Sequence, residues 1–362
     1  MVYGIFTAAI LLIVLYKIRI RADRQEAGFH EVQSNINELR GIAAIIIILS
    51  HSTMAFDRTP LLLMPFAKSS TICVGFFFVL SGYGLAWSDS NKKDYLDRAF
   101  LYKKLLYLFL LSILAYIYIF LISIVCHYFA GTAIIHVSVS SWWNITNWYL
   151  KMQGLMYILF FAAYRFIKNK KASCWVLGGA LTAICLLFCI FHIGGRSFFI
   201  SELSFFFGVM LYEYSNAIKK LFCKKMPYVM ILTVILAIVS LAAFKVKSYS
   251  IADFFFHNLL CISVYSIICI LFYYIKMDNG ILKFLNGISL ELYLCQFALF
   301  DLYKAIFSKM MIEINIWYVL GVLLTDIVVS LLAVRINKAV SRKLNSCIHK
   351  WVIFSEGRKI RK

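Results

Sequence analysis

Acidic residues are scarce. Asp and Glu number 17 in a chain of 362, against 37 Lys and Arg, and only 15% of residues carry a charge. That excludes an ordinary soluble domain, where about a quarter of residues are charged. Only three prolines occur, and no Pro-, Gly- or Ser-rich stretch divides the chain. A single membrane domain without flexible linkers is the simplest organisation, and no internal repeat is visible. The ten cysteines form no Cys-x-x-Cys pair, and no histidine stands at metal-ligand spacing to them. Neither a disulfide framework nor a metal site is expected. The thiols read instead as small buried hydrophobes.

Apolar residues fill the chain: 62% are hydrophobic and the mean hydropathy is +0.83. Runs long enough to cross a hydrocarbon core of about 30 Å lie near residues 2–18, 41–57, 70–87, 105–127, 148–164, 173–193, 198–213, 227–244, 254–275, 286–303 and 316–334. The pattern predicts an all-α polytopic membrane protein with about eleven transmembrane helices. The run 198–213 is short for a span. The first run has no basic residue before it and no small-residue cleavage site after it, so it does not read as a cleavable signal.

Charge sets the orientation. Of the 37 Lys and Arg, 29 fall in the segments on the side of the C-terminus and seven on the opposite side, while Lys151 lies within a run. By the positive-inside rule the C-terminus is cytoplasmic and the N-terminus is outside. The net charge of +20 thereby belongs to topology and anionic lipid, and nucleic acid is not an expected partner. The basic tail from 336 to 362, ending RKIRK, reads as a solvated membrane-surface segment. The outer loop 128–147 has no Lys or Arg. Its Trp142 and Trp143, with Trp148, suit either an interfacial belt or stacking on a sugar ring.

Two polar residues stand out in the second run, ELRGIAAIIIILSHS, at 38–52. Arg40 and His51 are eleven positions apart, which on a helix is about 20° beyond three full turns and about 16 Å of rise. They share one face. The charge map puts Arg40 at the inner surface and His51 near the middle of the membrane or slightly beyond. Ionisable groups at such depth usually face the protein interior. Singly, Arg40 suits an interfacial anchor and His51 an interhelical hydrogen bond. Together they suit one ligand reaching from cytosol to membrane interior.

Four further segments follow in order: GFFFVLSGYGL at 75–85, NWYLKMQGLMYILF at 147–160, SELSFFFGVMLYE at 201–213 and NGISLELYLCQF at 286–297. With the Arg-x10-His pattern, they resemble acyltransferase family 3, the integral membrane acyltransferases that O-acylate bacterial surface glycans. The resemblance covers about residues 35–335. It implies a ten-helix acyltransferase domain, with residues 1–34 as an added N-terminal helix and basic cytoplasmic linker. It also implies a multi-pass protein of the bacterial plasma membrane, here of the type without a fused esterase-like domain.

The implied reaction moves an acyl group, most simply acetyl, from cytosolic acyl-CoA to a hydroxyl of a cell-surface polysaccharide or lipid-linked glycan. On this resemblance His51 is the general base, and Arg40, Arg98, Lys103 and Lys104 hold the donor. Backbone N–H groups at Ser81 and Gly82, or Tyr83, are oxyanion candidates. Trp148, Lys151, Gln153, Glu202, Glu291 and Gln296 are candidates for the acceptor site. Glu202 and Glu291 equally suit hydrogen bonds between helices, and Lys151 equally suits snorkelling. Asp326 and His257 read as structural. The sequence departs from the family where Gln296 replaces a histidine, where Lys103 and Lys104 stand in place of paired arginines, and at Gln153, where some members carry Glu. A transporter or flippase of a glycan intermediate is the alternative, since it also needs many spans and buried charge.

Overall fold

The computed structural model describes residues 5–21, 28–97, 99–135, 138, 140, 142 and 148–359, with backbone only for 5 and 344–359. The chain is all-α and polytopic. Its helices are α1 (Ile5–Leu15), α2 (Phe29–Asn37), α3 (Arg40–Ser52), α4 (Ser70–Asn91), α5 (Ala99–Ala130), α6 (Trp148–Phe166) and α7 (Lys170–Ile190). They continue with α8 (Leu203–Glu213), α9 (Ser215–Ser240), α10 (Ile251–Tyr274), α11 (Gly280–Asn286), α12 (Ser289–Lys309) and α13 (Ile316–Lys359). Each of the eleven apolar runs falls mainly on one of these helices. Among the described residues, six helices are long and apolar enough to cross a membrane, and α2 with α3 adds a seventh crossing if that pair, bent by 42°, is one span. The short run is α8, only 11 residues long. Two three-residue strands, β1 (Ile18–Ile20) and β2 (Ile275–Met277), pair antiparallel with Ile18 opposite Met277.

The chain divides into two compact units. The first comprises residues 1–93 and 162–289. Its closest helix pair is α4 with α8, and small residues explain the approach. A Cβ on Gly82 would lie 2.1 Å from the carbonyl oxygen of Phe205, and one on Gly208 would lie 2.0 Å from that of Val79. Lipid tails are as apolar as Leu, so helix association in a bilayer depends on such close packing. Around this pair lie α3, α7 and α10. The helix α9 bends at Lys225, two residues before Pro227, because proline cannot donate to the helix ladder and crowds the preceding turn. Beyond the bend its Tyr228, Ile231, Leu232, Ile235 and Ile238 are exposed, as suits a helix face against lipid.

The second unit comprises residues 94–161 and 290–362. Here α12 and α13 interlock. Tyr318 packs among Phe300, Tyr303 and Phe307, and the Tyr303 hydroxyl lies 2.7 Å from that of Thr325. Gly321 faces Tyr303, where a Cβ would lie 2.3 Å from the ring. Within the membrane such polar pairs tie helix to helix.

Candidate active site

The helix α3 is fixed from its first turn. A Cβ on Gly41 would lie 2.3 Å from that of Leu285, so only glycine lets α3 meet the end of α11. Ile42, Ala44, Ile47, Ile48 and Leu49 are buried, which leaves Arg40 and His51 half-buried on their shared face. The guanidinium carbon of Arg40 lies 5.7 Å from the centre of the Phe77 ring on α4. Its Nε is buried and makes no hydrogen bond among the described residues. His51 occupies the last turn of α3. The turn Met64–Phe66 packs against that helix, and Leu63 and Phe66 are buried there.

The helices continue past the level of Arg40. Phe77 is fourteen residues from the end of α4, about 21 Å along the helix, and α2 also precedes Arg40. The segment FHEVQSNIN looks polar, yet Val32, Gln33, Asn35 and Ile36 are buried in it. Tyr265 donates to Gln33 Oε1 at 2.6 Å, and the Met277 N–H donates to Asn35 Oδ1 at 3.1 Å. Glu31 pairs with Arg21 at 2.9 Å and with Lys276 at 3.0 Å. Tertiary partners thus convert a polar stretch into a packed helix. Near its start His30 stacks on Trp87 of α4, ring centres 4.7 Å apart and planes 6° apart. Lys283 of α11 donates at 2.7 Å to Asp278, which follows β2, and that bond with its charge holds the Asp278 carboxyl below its ordinary range.

Ser81, Gly82 and Tyr83 sit inside α4. Their backbone N–H groups therefore belong to the helix ladder, which corrects the expectation of oxyanion donors there. Gly82 is present for packing, as its approach to Phe205 shows. Tyr83 is buried, edge-on to Tyr212 with centres 5.6 Å apart, and its hydroxyl lies 3.5 Å from His30 Nδ1. Ser81 is half-buried, one turn beyond Phe77.

Glu202 is fully buried ahead of α8 and accepts from the Ser201 N–H at 2.8 Å. Beside it, Asn258 accepts from the Leu203 N–H at 3.0 Å and donates to the Phe199 carbonyl at 2.7 Å. These bonds fix the entry to α8. The preceding loop is tied by Arg196, which donates to both oxygens of buried Asp253, at 2.8 and 2.6 Å. His257 Nδ1 lies 3.0 Å from Asp253 Oδ1, and its Nε2 lies 3.3 Å from Arg196 Nη2. His257 is thus part of a structural network, whose partner Arg196 had no motif to reveal it.

The second unit holds the remaining candidates. Lys103 pairs with Asp97 at 3.7 Å, and Lys104 lies 5.4 Å from the Tyr157 ring centre. Trp148, half-buried Lys151 and buried Gln153 share the first two turns of α6. Glu291 Oε1 accepts from Asn337 at 2.8 Å, a bond between helices of the kind that equally suited it. Buried Gln296 donates to the Tyr293 carbonyl at 2.9 Å. Arg98 and Trp143 lie outside the described residues.

Helices long enough to span a bilayer, with buried polar residues along α3, α4 and α8, fit an integral membrane protein. The family model for an acyltransferase domain matches residues 33–335, and the chain belongs to that family, acyltransferase family 3. It is a membrane acyltransferase. No curated protein and no solved structure matches it.

Proposed function

We propose that this protein transfers an acyl group, most simply acetyl, from cytosolic acyl-CoA to a hydroxyl of a cell-surface polysaccharide or lipid-linked glycan in the bacterial plasma membrane. The observation that carries the reading is the shared face of α3. Arg40, whose buried Nε has no hydrogen bond among the described residues, stands eleven residues before His51, about 16 Å along the axis. An arginine binds phosphate oxygens by charge-assisted hydrogen bonds. The thin arm of the donor then runs along the helix toward His51, bringing its thioester there.

At that end the imidazole takes the proton of the acceptor hydroxyl. The oxygen attacks the thioester carbonyl, the carbon–sulfur bond breaks, and the proton passes to the departing thiolate. The products are an ester and free coenzyme A. Buried Glu202, in the same unit as Arg40 and His51, is the residue from which an acceptor contact is drawn. The test uses membranes containing the protein, supplied with labelled acetyl-CoA on the cytosolic side. Label should enter glycan on the opposite side. Glycan movement across the bilayer without thioester consumption would instead establish a flippase.

A further inference from the structure

The aromatic stack inward of Arg40 has no part in the chemistry above. Three observations give it a shape. His30 and Trp87 are parallel at 4.7 Å, yet His30 is exposed and Trp87 only half-buried. Lys92 Nζ lies 5.9 Å from the Trp87 ring centre. The third concerns α4 itself. Phe77, Leu80, Gly84 and Trp87 recur at helical spacing on one side of it. Leu80 is half-buried, Gly84 is exposed, and a Cβ added at Gly84 would meet nothing within 4 Å among the described residues. From buried Phe77 at Arg40 to Trp87 at His30, ten residues or about 15 Å along the axis, the side of α4 opens progressively through Leu80 to Gly84.

An exposed imidazole stacked on an indole, with a cation over that indole, suits a nucleobase carrying phosphate, because stacking accepts any base and the cation meets the phosphate. His30 also stacks with buried Tyr83, ring centres 6.0 Å apart and planes 12° apart, yet it remains exposed itself, which a purely structural stack does not require. We infer that His30 and Trp87 seat the purine ring of the donor's nucleotide, with Lys92 near its phosphate, and that the rest of the molecule runs along α4 past Gly84 toward Arg40. This rests on the acyl-CoA reading above and adds the point where the donor is gripped.

Binding tests it without catalysis. The full chain in detergent is titrated calorimetrically with adenosine 3′,5′-bisphosphate. Wild type should bind, His30→Ala and Trp87→Leu should each weaken binding roughly tenfold or more, and His30→Tyr, which keeps a ring, should retain it. Absence of binding by wild type, or equal binding by His30→Ala, overturns the inference. In transfer assays, His30→Ala should raise KM for acetyl-CoA but leave KM for acetyl-pantetheine, which has no nucleotide, unchanged. An equal loss with both donors makes the stack structural and overturns it. Ring-dependent bisphosphate binding by a protein that transfers no acyl group keeps the nucleotide seat and removes the proposed reaction. Transfer with unchanged KM in His30→Ala does the reverse.

Discussion

Arg40 faces Phe77 across the α3–α4 contact, its guanidinium carbon 5.7 Å from the ring centre. A ring attracts the cation electrostatically without using its N–H donors, so the group is held in place and can still bind an anion. Replacing Arg40 by Ala is expected to raise KM for acyl-CoA roughly 10- to 100-fold, the loss of a hydrogen bond to a charged group. Arg40→Lys should fall between, because an ammonium lacks the planar fork. Steady-state kinetics over donor concentration decide this, and an unchanged KM in Arg40→Ala removes Arg40 from the donor site.

His51 carries the heaviest prediction. Removal of a general base costs about 10²- to 10⁴-fold in rate. His51→Ala should lose that much in kcat while inserting normally. Normal transfer by the variant would mean that the base lies elsewhere.

The apolar runs were legible because a bilayer demands long uninterrupted apolar helices, and all eleven runs fall mainly on helices of the structure. The face shared by Arg40 and His51 follows from helical period alone. What the period cannot supply is the partner of a polar residue. In α2, nothing in the sequence shows that Gln33 and Asn35 are satisfied by Tyr265 and Met277. For that reason the packed structure that continues past Arg40, in α2 and the last turns of α4, was not legible in the sequence. Gly82 misled for a related reason. A glycine beside a serine suggests an accessible backbone, but its neighbour in space is the Phe205 carbonyl, which the sequence places over 120 residues away.

That contact makes a stability prediction. A methyl group on Gly82 or Gly208 would collide with backbone, and backbone cannot rotate aside. Gly82→Ala and Gly208→Ala should each destabilise by about 1–3 kcal/mol, the usual cost of overpacking. A Cβ added at Gly179, on α7, would meet nothing within 4 Å among the described residues. Gly179→Ala should therefore unfold at the wild-type temperature or slightly above, as alanine favours helix. Thermal unfolding of the three variants in detergent, followed by circular dichroism, makes the comparison. Equal midpoints for all three would show that α4 and α8 can separate at little cost.

The Arg196–Asp253 pair predicts its own pattern of loss. Asp253 has no exposed surface, whereas the Arg196 side chain is 36% exposed. The carboxylate also accepts from the Tyr249 N–H at 2.9 Å and lies 3.0 Å from His257 Nδ1, but its charge is balanced by the guanidinium. Arg196→Ala leaves that charge buried and should cost about 2–3 kcal/mol. Lysine keeps the charge but loses the two-pronged geometry, so Arg196→Lys should recover only part of this. Removing both charges with Arg196→Met and Asp253→Asn should recover more than Arg196→Ala alone, because the penalty comes from the unpaired carboxylate rather than from the lost attraction. Unfolding midpoints of the single and double variants give the coupling between the two sites. Strictly additive losses would show that Arg196 and Asp253 stabilise the loop independently, and the bidentate bond would then carry none of its stability.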